Sequence, residues 1–132
     1  MCCRFLLRLC TQSTILSSRR QDRWTTVVKY GDTIYVTGAP PFEPNTGEIF
    51  GGDIKRQARL VLEQMKVCVE AGGSSLDKVL KCNVYATSNE YFTAINEVYL
   101  EFFPKDWPAR MFVVVGPWAG RFDVEVDCIA GI

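Results

Sequence analysis

Nine residues near the C-terminus, from Phe122 to Ala130, alternate without a break. Phe122, Val124, Val126, Cys128 and Ala130 are apolar; between them stand Asp123, Glu125, Asp127 and Ile129. Period two over this length predicts a strand with one face in a core and the other carrying charge. Upstream, Arg110-Met111-Phe112-Val113-Val114-Val115 is a second β-rich run, and Gly116-Pro117-Trp118-Ala119-Gly120 between the two has turn composition. An antiparallel hairpin is the expectation. Arg110, Phe112 and Val114 then share one face and Met111, Val113 and Val115 the other. Burying the apolar faces together would put Arg110 on the same side as the three carboxylates. A face that mixes those charges with Phe112, Val114 and Ile129 is too apolar for ordinary solvent and too charged for an ordinary core. It is therefore expected to be covered by a second subunit, with the charges paired or lining a cleft. On the hairpin alone, a cross-strand ion pair of Arg110 accounts for the pattern equally well.

The chain has 132 residues, 48% apolar, enough for one domain with a real core. Fifteen basic residues balance fifteen acidic ones, and no cationic stripe offers the footprint that nucleic acid requires. No run of eighteen apolar residues predicts a membrane span. Histidine is absent altogether, which removes Ser-His-Asp and Cys-His catalysis and His-ligated metals. Acid-base work would fall to carboxylates, Lys, Tyr, Cys or water. Six cysteines show no C-x-x-C spacing, and Cys68, Cys82 and Cys128 fall where a free thiol packs as a small apolar group. Neither a metal site nor a disulfide is expected, and a reducing compartment is.

Residues 1–22 form an N-terminal extension that is Arg- and hydroxyl-rich and free of acid until Asp22, with Phe5, Leu6 and Leu9 able to share a helix face. A mitochondrial presequence and a disordered tail or misassigned start fit equally, so a mitochondrial or a cytoplasmic location stays open. Residues 23–132 form the domain. Strands are expected over 24–29 and 33–37, then an ordered loop with three prolines and Asn45-Thr46-Gly47. Asp53 caps a helix to Ala71, with Ile54, Ala58, Val61, Leu62, Met65 and Val69 on its buried side and a solvated charged face opposite. Residues 79–86 are a strand. Ser88 or Asn89 starts a second helix that buries Phe92, Ile95, Val98, Tyr99 and Phe102 and stops at Pro104. Trp107 and Trp118 are expected to pack. The order ββαβαββ predicts an α+β sandwich, two helices on one face of a mixed sheet. The uncovered face asks for oligomerisation.

Tyr35-Val36-Thr37-Gly38, Asn45-Thr46-Gly47-Glu48, Gln57-Ala58-Arg59, Glu70-Ala71-Gly72-Gly73, Val79-Leu80-Lys81, Asn96-Glu97-Val98-Tyr99, Pro108-Ala109-Arg110 and Val124-Glu125-Val126-Asp127 follow one another in an order that resembles the Rid family, also called YjgF. The resemblance covers residues 24–130. It implies a chorismate-mutase-like protomer, a homotrimer with clefts between subunits, and cofactor-free hydrolysis of 2-imino or 2-enamino acids to 2-oxo acids and ammonia. It further implies that Arg110 grips the substrate carboxylate, which suits a two-donor guanidinium. Glu125 would position the attacking water, with Asp123 and Asp127 carrying the same charge two residues to either side. Thr37 would line the cleft and Asn96 would match the family's helix Asn; strand-end and backbone hydrogen bonds are their plainer roles. Trp24 stands where a Tyr commonly closes the cleft, Ala39 where a polar residue is common, and Phe112 where deaminating members often carry Cys. A larger-walled, less polar pocket follows, and with it the alternative of a trimeric binding module for small carboxylates or a regulatory partner. Ribonuclease activity, sometimes attributed to the family, gains nothing from a neutral chain.

Overall fold

The computed structural model describes residues 25–132 throughout and, before them, the backbone of two strands; Trp24 lies outside the described residues. The elements are β1 (Leu6–Cys10), β2 (Ser13–Ser17), β3 (Val27–Tyr30), β4 (Thr33–Val36), α1 (Ile54–Ala71), β5 (Val79–Ala86), α2 (Phe92–Phe102), β6 (Ala109–Val114) and β7 (Val124–Gly131). From β3 onward the order is the expected ββαβαββ. Where a helix face was read around Leu6 and Leu9, the backbone instead forms β1. It pairs with β2, which in turn joins β3, so the extension continues the sheet.

Asp53 caps α1 as expected, its carboxylate accepting from the Arg56 amide at 2.9 Å. Residues spaced by three and four turn one stripe of α1 inward: Ala58, Val61, Leu62, Met65 and Val69 are all buried. Ser88 caps a short 3-10 turn ahead of α2, and Ile95, Val98 and Tyr99 complete the helical layer. Phe92, expected inside, is 42% exposed, while Phe103 just past the helix is buried. Opposite the helices, β7 contributes Val124, Val126, Cys128 and Ala130, all buried, and β5 contributes Val79, Cys82, Val84 and Ala86. The alternation read from the sequence is the core of the molecule.

The sheet order is β1-β2-β3-β4-β7-β5-β6, and it corrects one expectation. β6 and β7 do not form a hairpin. β5 lies between them, pairing parallel with β6 and antiparallel with β7. A parallel pair needs a crossover, and α2 supplies it. The Val115 amide donates to the Ala86 carbonyl at 2.9 Å and extends the parallel ladder one residue further. β6 thus takes one edge of β5 and leaves the other for β7.

The charged side of α1 does more than meet solvent. Lys55 pairs with Glu97 and Arg59 with Glu101 on α2, and Arg56 reaches Glu43 in the Pro-rich loop at 2.6 Å. Trp118 stacks on Phe122, centroids 4.7 Å apart, but Trp107 is 69% exposed and does not pack as expected. No helix among the described residues is long and apolar enough to cross a membrane.

Candidate functional site

Register decides which side chains can meet. Arg110 stands opposite Cys82 and Phe112 opposite Val84, and both of those β5 residues are core. Arg110 and Phe112 therefore project to the helix-covered side of the sheet, at its β6 edge. Glu125 stands opposite Tyr85 and Asp127 opposite Asn83, on the side without helices. The expectation that Arg110 shares a face with the acids is overturned. It assumed that β6 pairs with β7 and turns Met111 and Val113 inward; instead β6 pairs with β5 in a register that sets Arg110 level with buried Cys82 and Met111 level with Asn83.

At the helix-side edge, the Arg110 guanidinium donates to the Asn96 side-chain oxygen. It also lies over two rings of α2, 4.8 Å from the centroid of Tyr99 and 5.9 Å from that of Phe92. Phe112 meets Phe92 edge to face at 5.0 Å. Among the described residues no carboxylate pairs with Arg110, whereas Arg56 and Arg59 end on Glu43 and Glu101. A guanidinium held by an amide and two π faces keeps donors free for an anion. Beneath it, burial pushes the Cys82 thiol up to about 11, and burial also raises the Tyr99 hydroxyl. A thiol so protonated is no nucleophile at neutral pH.

The open face holds a different cluster. Asp127 accepts from Asn83 at 2.7 Å and from the Tyr85 hydroxyl at 2.8 Å, and that bond raises the Tyr85 proton affinity. Next to it, burial first and then the charge of Asp127 push the Glu125 carboxyl above the usual glutamate value. Glu125 also lies against Gly38: a Cβ there would stand 2.8 Å from Oε2, and the carboxylate would have to shift to admit one. Thr37, adjacent to Gly38, is exposed at the end of β4. Of the three acids, Asp127 is tied up by neighbours, while Glu125 has no hydrogen-bonding side chain on it among the described residues.

Asp123 lies before the strand and serves elsewhere. Its carboxylate accepts from Thr87 at 2.6 Å and from Gln57 at 3.2 Å, and its amide donates to the Gln57 oxygen at 2.8 Å. Gln57 is wholly buried and also donates to the Gly52 carbonyl at 2.8 Å. Where Gly51 passes Arg121, a Cβ would sit 2.1 Å from the carbonyl oxygen. This knot fixes the entry to β7, two residues before Glu125. On sequence a Gln among charged helix residues looks like surface, and only its place beside Ala58 on the inward stripe hinted otherwise.

The predicted residues thus form two groups in one protomer: Arg110, Asn96 and Phe112 at the β6 edge, Thr37 and Glu125 on the open face. A recess of about 260 Å³ beside α1 contains none of them. Its Glu43, Arg56 and Arg59 already satisfy one another or Glu101.

The family model for endoribonuclease L-PSP matches residues 16–132. The chain belongs to this family, the Rid/YjgF family. A RutC family protein of Pyrococcus horikoshii is 40% identical over 107 residues, 81% of this chain and 85% of that one. A protein of Dermatophagoides farinae named 2-iminobutanoate/2-iminopropanoate deaminase is 32% identical over 120 residues, 91% and 94% of the two chains. The crystal structure of RidA from the Antarctic bacterium Psychrobacter superposes with a TM-score of 0.81 at 34% identity, covering 89% of this chain and 98% of that one. The α+β architecture of this Rid family member is the chorismate-mutase-like one that the resemblance implied.

Proposed function

We propose that this Rid family protein hydrolyses 2-imino and 2-enamino acids to 2-oxo acids and ammonia, in a cleft that two copies of the chain complete. The observation that carries the reading is the disposition of Arg110 and Glu125 on opposite faces of one sheet. A single protomer cannot bring both to one small molecule. A neighbour whose β6 edge lies across this open face, where Tyr35 is 48% and Met111 54% exposed, would bring its Arg110 to this protomer's Glu125. Three copies related head to tail would close such an arrangement into a ring of three equivalent clefts. The deaminase name of the mite relative supports the same chemistry.

In this reading the guanidinium of Arg110 takes the substrate carboxylate with two parallel N–H donors, while Asn96 fixes its orientation. The iminium C2 is already electrophilic. Glu125 accepts a proton from water as the water oxygen bonds C2. The same proton passes to the amino nitrogen; Glu125 then takes the remaining hydroxyl proton as the C=O forms and the C–N bond breaks, and gives it to the departing ammonia, so water and iminium become a 2-oxo acid and ammonium. A base with raised proton affinity suits these transfers, worth about 10²- to 10⁴-fold. Thr37 would line the cleft from the Glu125 side, and the resemblance gives Trp24 the place of the Tyr that commonly closes it. Phe112 lies beside Arg110.

The test is direct. With 2-iminobutanoate generated in situ, purified protein should speed its disappearance and Arg110→Ala should return it to the buffer rate. The altered positions Trp24, Ala39 and Phe112 favour a second reading, a trimer that holds a small carboxylate without turnover. Arg110-dependent binding by protein that leaves the imine lifetime unchanged would select it.

A further inference from the structure

Resting on the deaminase reading, we infer that Asp127 is a positioning residue for Glu125: it draws the Tyr85 hydroxyl away and so keeps the Glu125 carboxylate free for water. Register sets up the competition. On β5 and β7, Tyr85 stands directly opposite Glu125 and Asn83 directly opposite Asp127. Opposed side chains of an antiparallel pair have Cβ atoms about 5 Å apart, and diagonal neighbours stand about 7–8 Å away, within reach of an aromatic residue. A tyrosine opposite a glutamate is therefore placed to donate to it. Here it does not. The Tyr85 hydroxyl crosses the diagonal and donates to Asp127 Oδ2 at 2.8 Å. Asn83 donates to Oδ1 at 2.7 Å, so each oxygen of Asp127 has its own donor.

The consequence for Glu125 is chemical. A phenol hydroxyl donating to it would stabilise the charged form and occupy an oxygen that must accept from water. The base would be blunted. With Tyr85 held on Asp127, the charge of Asp127 acts on Glu125 in the same direction as burial, toward holding a proton. Among the described residues the other titratable groups on the strands beside Glu125 are Tyr35 on β4 and Lys81 on β5, both level with Ile129, and Asp123, which is taken by Thr87 and Gln57. Past the end of β4, Gly38 lies against Glu125 and brings no charge. In the assembled cleft a neighbour's Arg110 adds a cation, the same one in every variant compared below.

The experiment measures kcat for 2-iminobutanoate against pH with the full chain as wild type, Asp127→Asn, Asp127→Ala and the double variant Asp127→Ala/Tyr85→Phe, each first shown to assemble as the wild type does. Asp127→Asn keeps an oxygen for Tyr85 and loses the charge, so its plateau kcat should stay near wild type while the acid limb moves to lower pH. Asp127→Ala releases Tyr85 to Glu125, and its plateau kcat should fall about tenfold. Removing the hydroxyl as well should return most of that loss, a rescue that a merely structural role of Asp127 would not give. Asp127→Val, which also lacks an acceptor and suits a strand, takes the place of Asp127→Ala if that variant does not fold. A double variant no faster than the single one, or a single one with wild-type kcat, would overturn the inference and leave the deaminase reading standing. Wild-type protein inert toward the imine would remove the deaminase reading and this inference with it.

Discussion

The β6 edge and the open face belong to one sheet yet prepare opposite chemistry. At the edge a cation is held by neutral groups, an amide and two ring faces, so its charge is left for something from outside. On the open face an acid is crowded by burial and by a second acid, which raises its proton affinity. In the proposed reading one region receives a carboxylate and the other a proton, and because the thickness of the sheet separates them, neither would be a site alone.

The largest expected effect tests the edge. Arg110→Ala should lower kcat/KM for an imino acid by about 10³-fold, the loss of two charge-assisted bonds. Arg110→Lys should restore little of it, since an ammonium cannot present two parallel donors. Full recovery with Lys would mean that charge alone matters at that edge.

On the open face, Glu125→Gln should cost about 10²-fold or more in kcat. It should also remove the acid limb of the pH–rate profile, which in the wild type lies above the usual glutamate range because the folded carboxyl holds its proton more tightly. Stability should move the other way. A carboxyl whose proton affinity rises on folding is least unfavourable below its unfolded pKa, and its penalty grows as pH rises through the folded value. Glu125→Gln should therefore raise the melting temperature at pH 7 by about 2 °C, with the gain fading toward pH 4. An equal gain at both pH values would show that ionisation is not its cause.

Between the two regions lies the knot of Gln57, Asp123 and Thr87. Gln57→Leu leaves the Asp123 amide and carboxylate short of partners in the interior, so unfolding in urea should show a loss of about 2–3 kcal/mol. The smallest effect belongs to the exposed helix pairs. Lys55→Ala and Glu97→Ala should leave the denaturation midpoint within error, because exposed ion pairs are screened by solvent.

Much of this was legible in the sequence where the signal is local. The alternation from Phe122 to Ala130 named the buried face of β7, and Asp53 with the stripe from Ala58 to Val69 named α1 and its inward side. What failed was partner choice. Two β-runs around Gly116-Pro117 carry the composition of a hairpin, but pairing is settled by which edge of β5 is free once α2 has carried the chain over. From that one step came the misplacement of Arg110 among the acids. The inward Gln57 was hidden for a related reason: its partner Asp123 is 66 residues away. Phe92 was misread because position in a helical stripe does not reveal that the helix lies over a sheet edge. At that edge the outermost ring stays exposed.

In the proposed function Arg110 and Glu125 work together only across two copies. Arg110→Ala and Glu125→Ala proteins, each inactive and each shown to assemble, should be unfolded together in equal amounts and refolded. Random head-to-tail pairing would leave about a quarter of the clefts with both groups intact, so about a quarter of wild-type activity should return. Mixed assemblies that form and yet hydrolyse no imine would contradict the account.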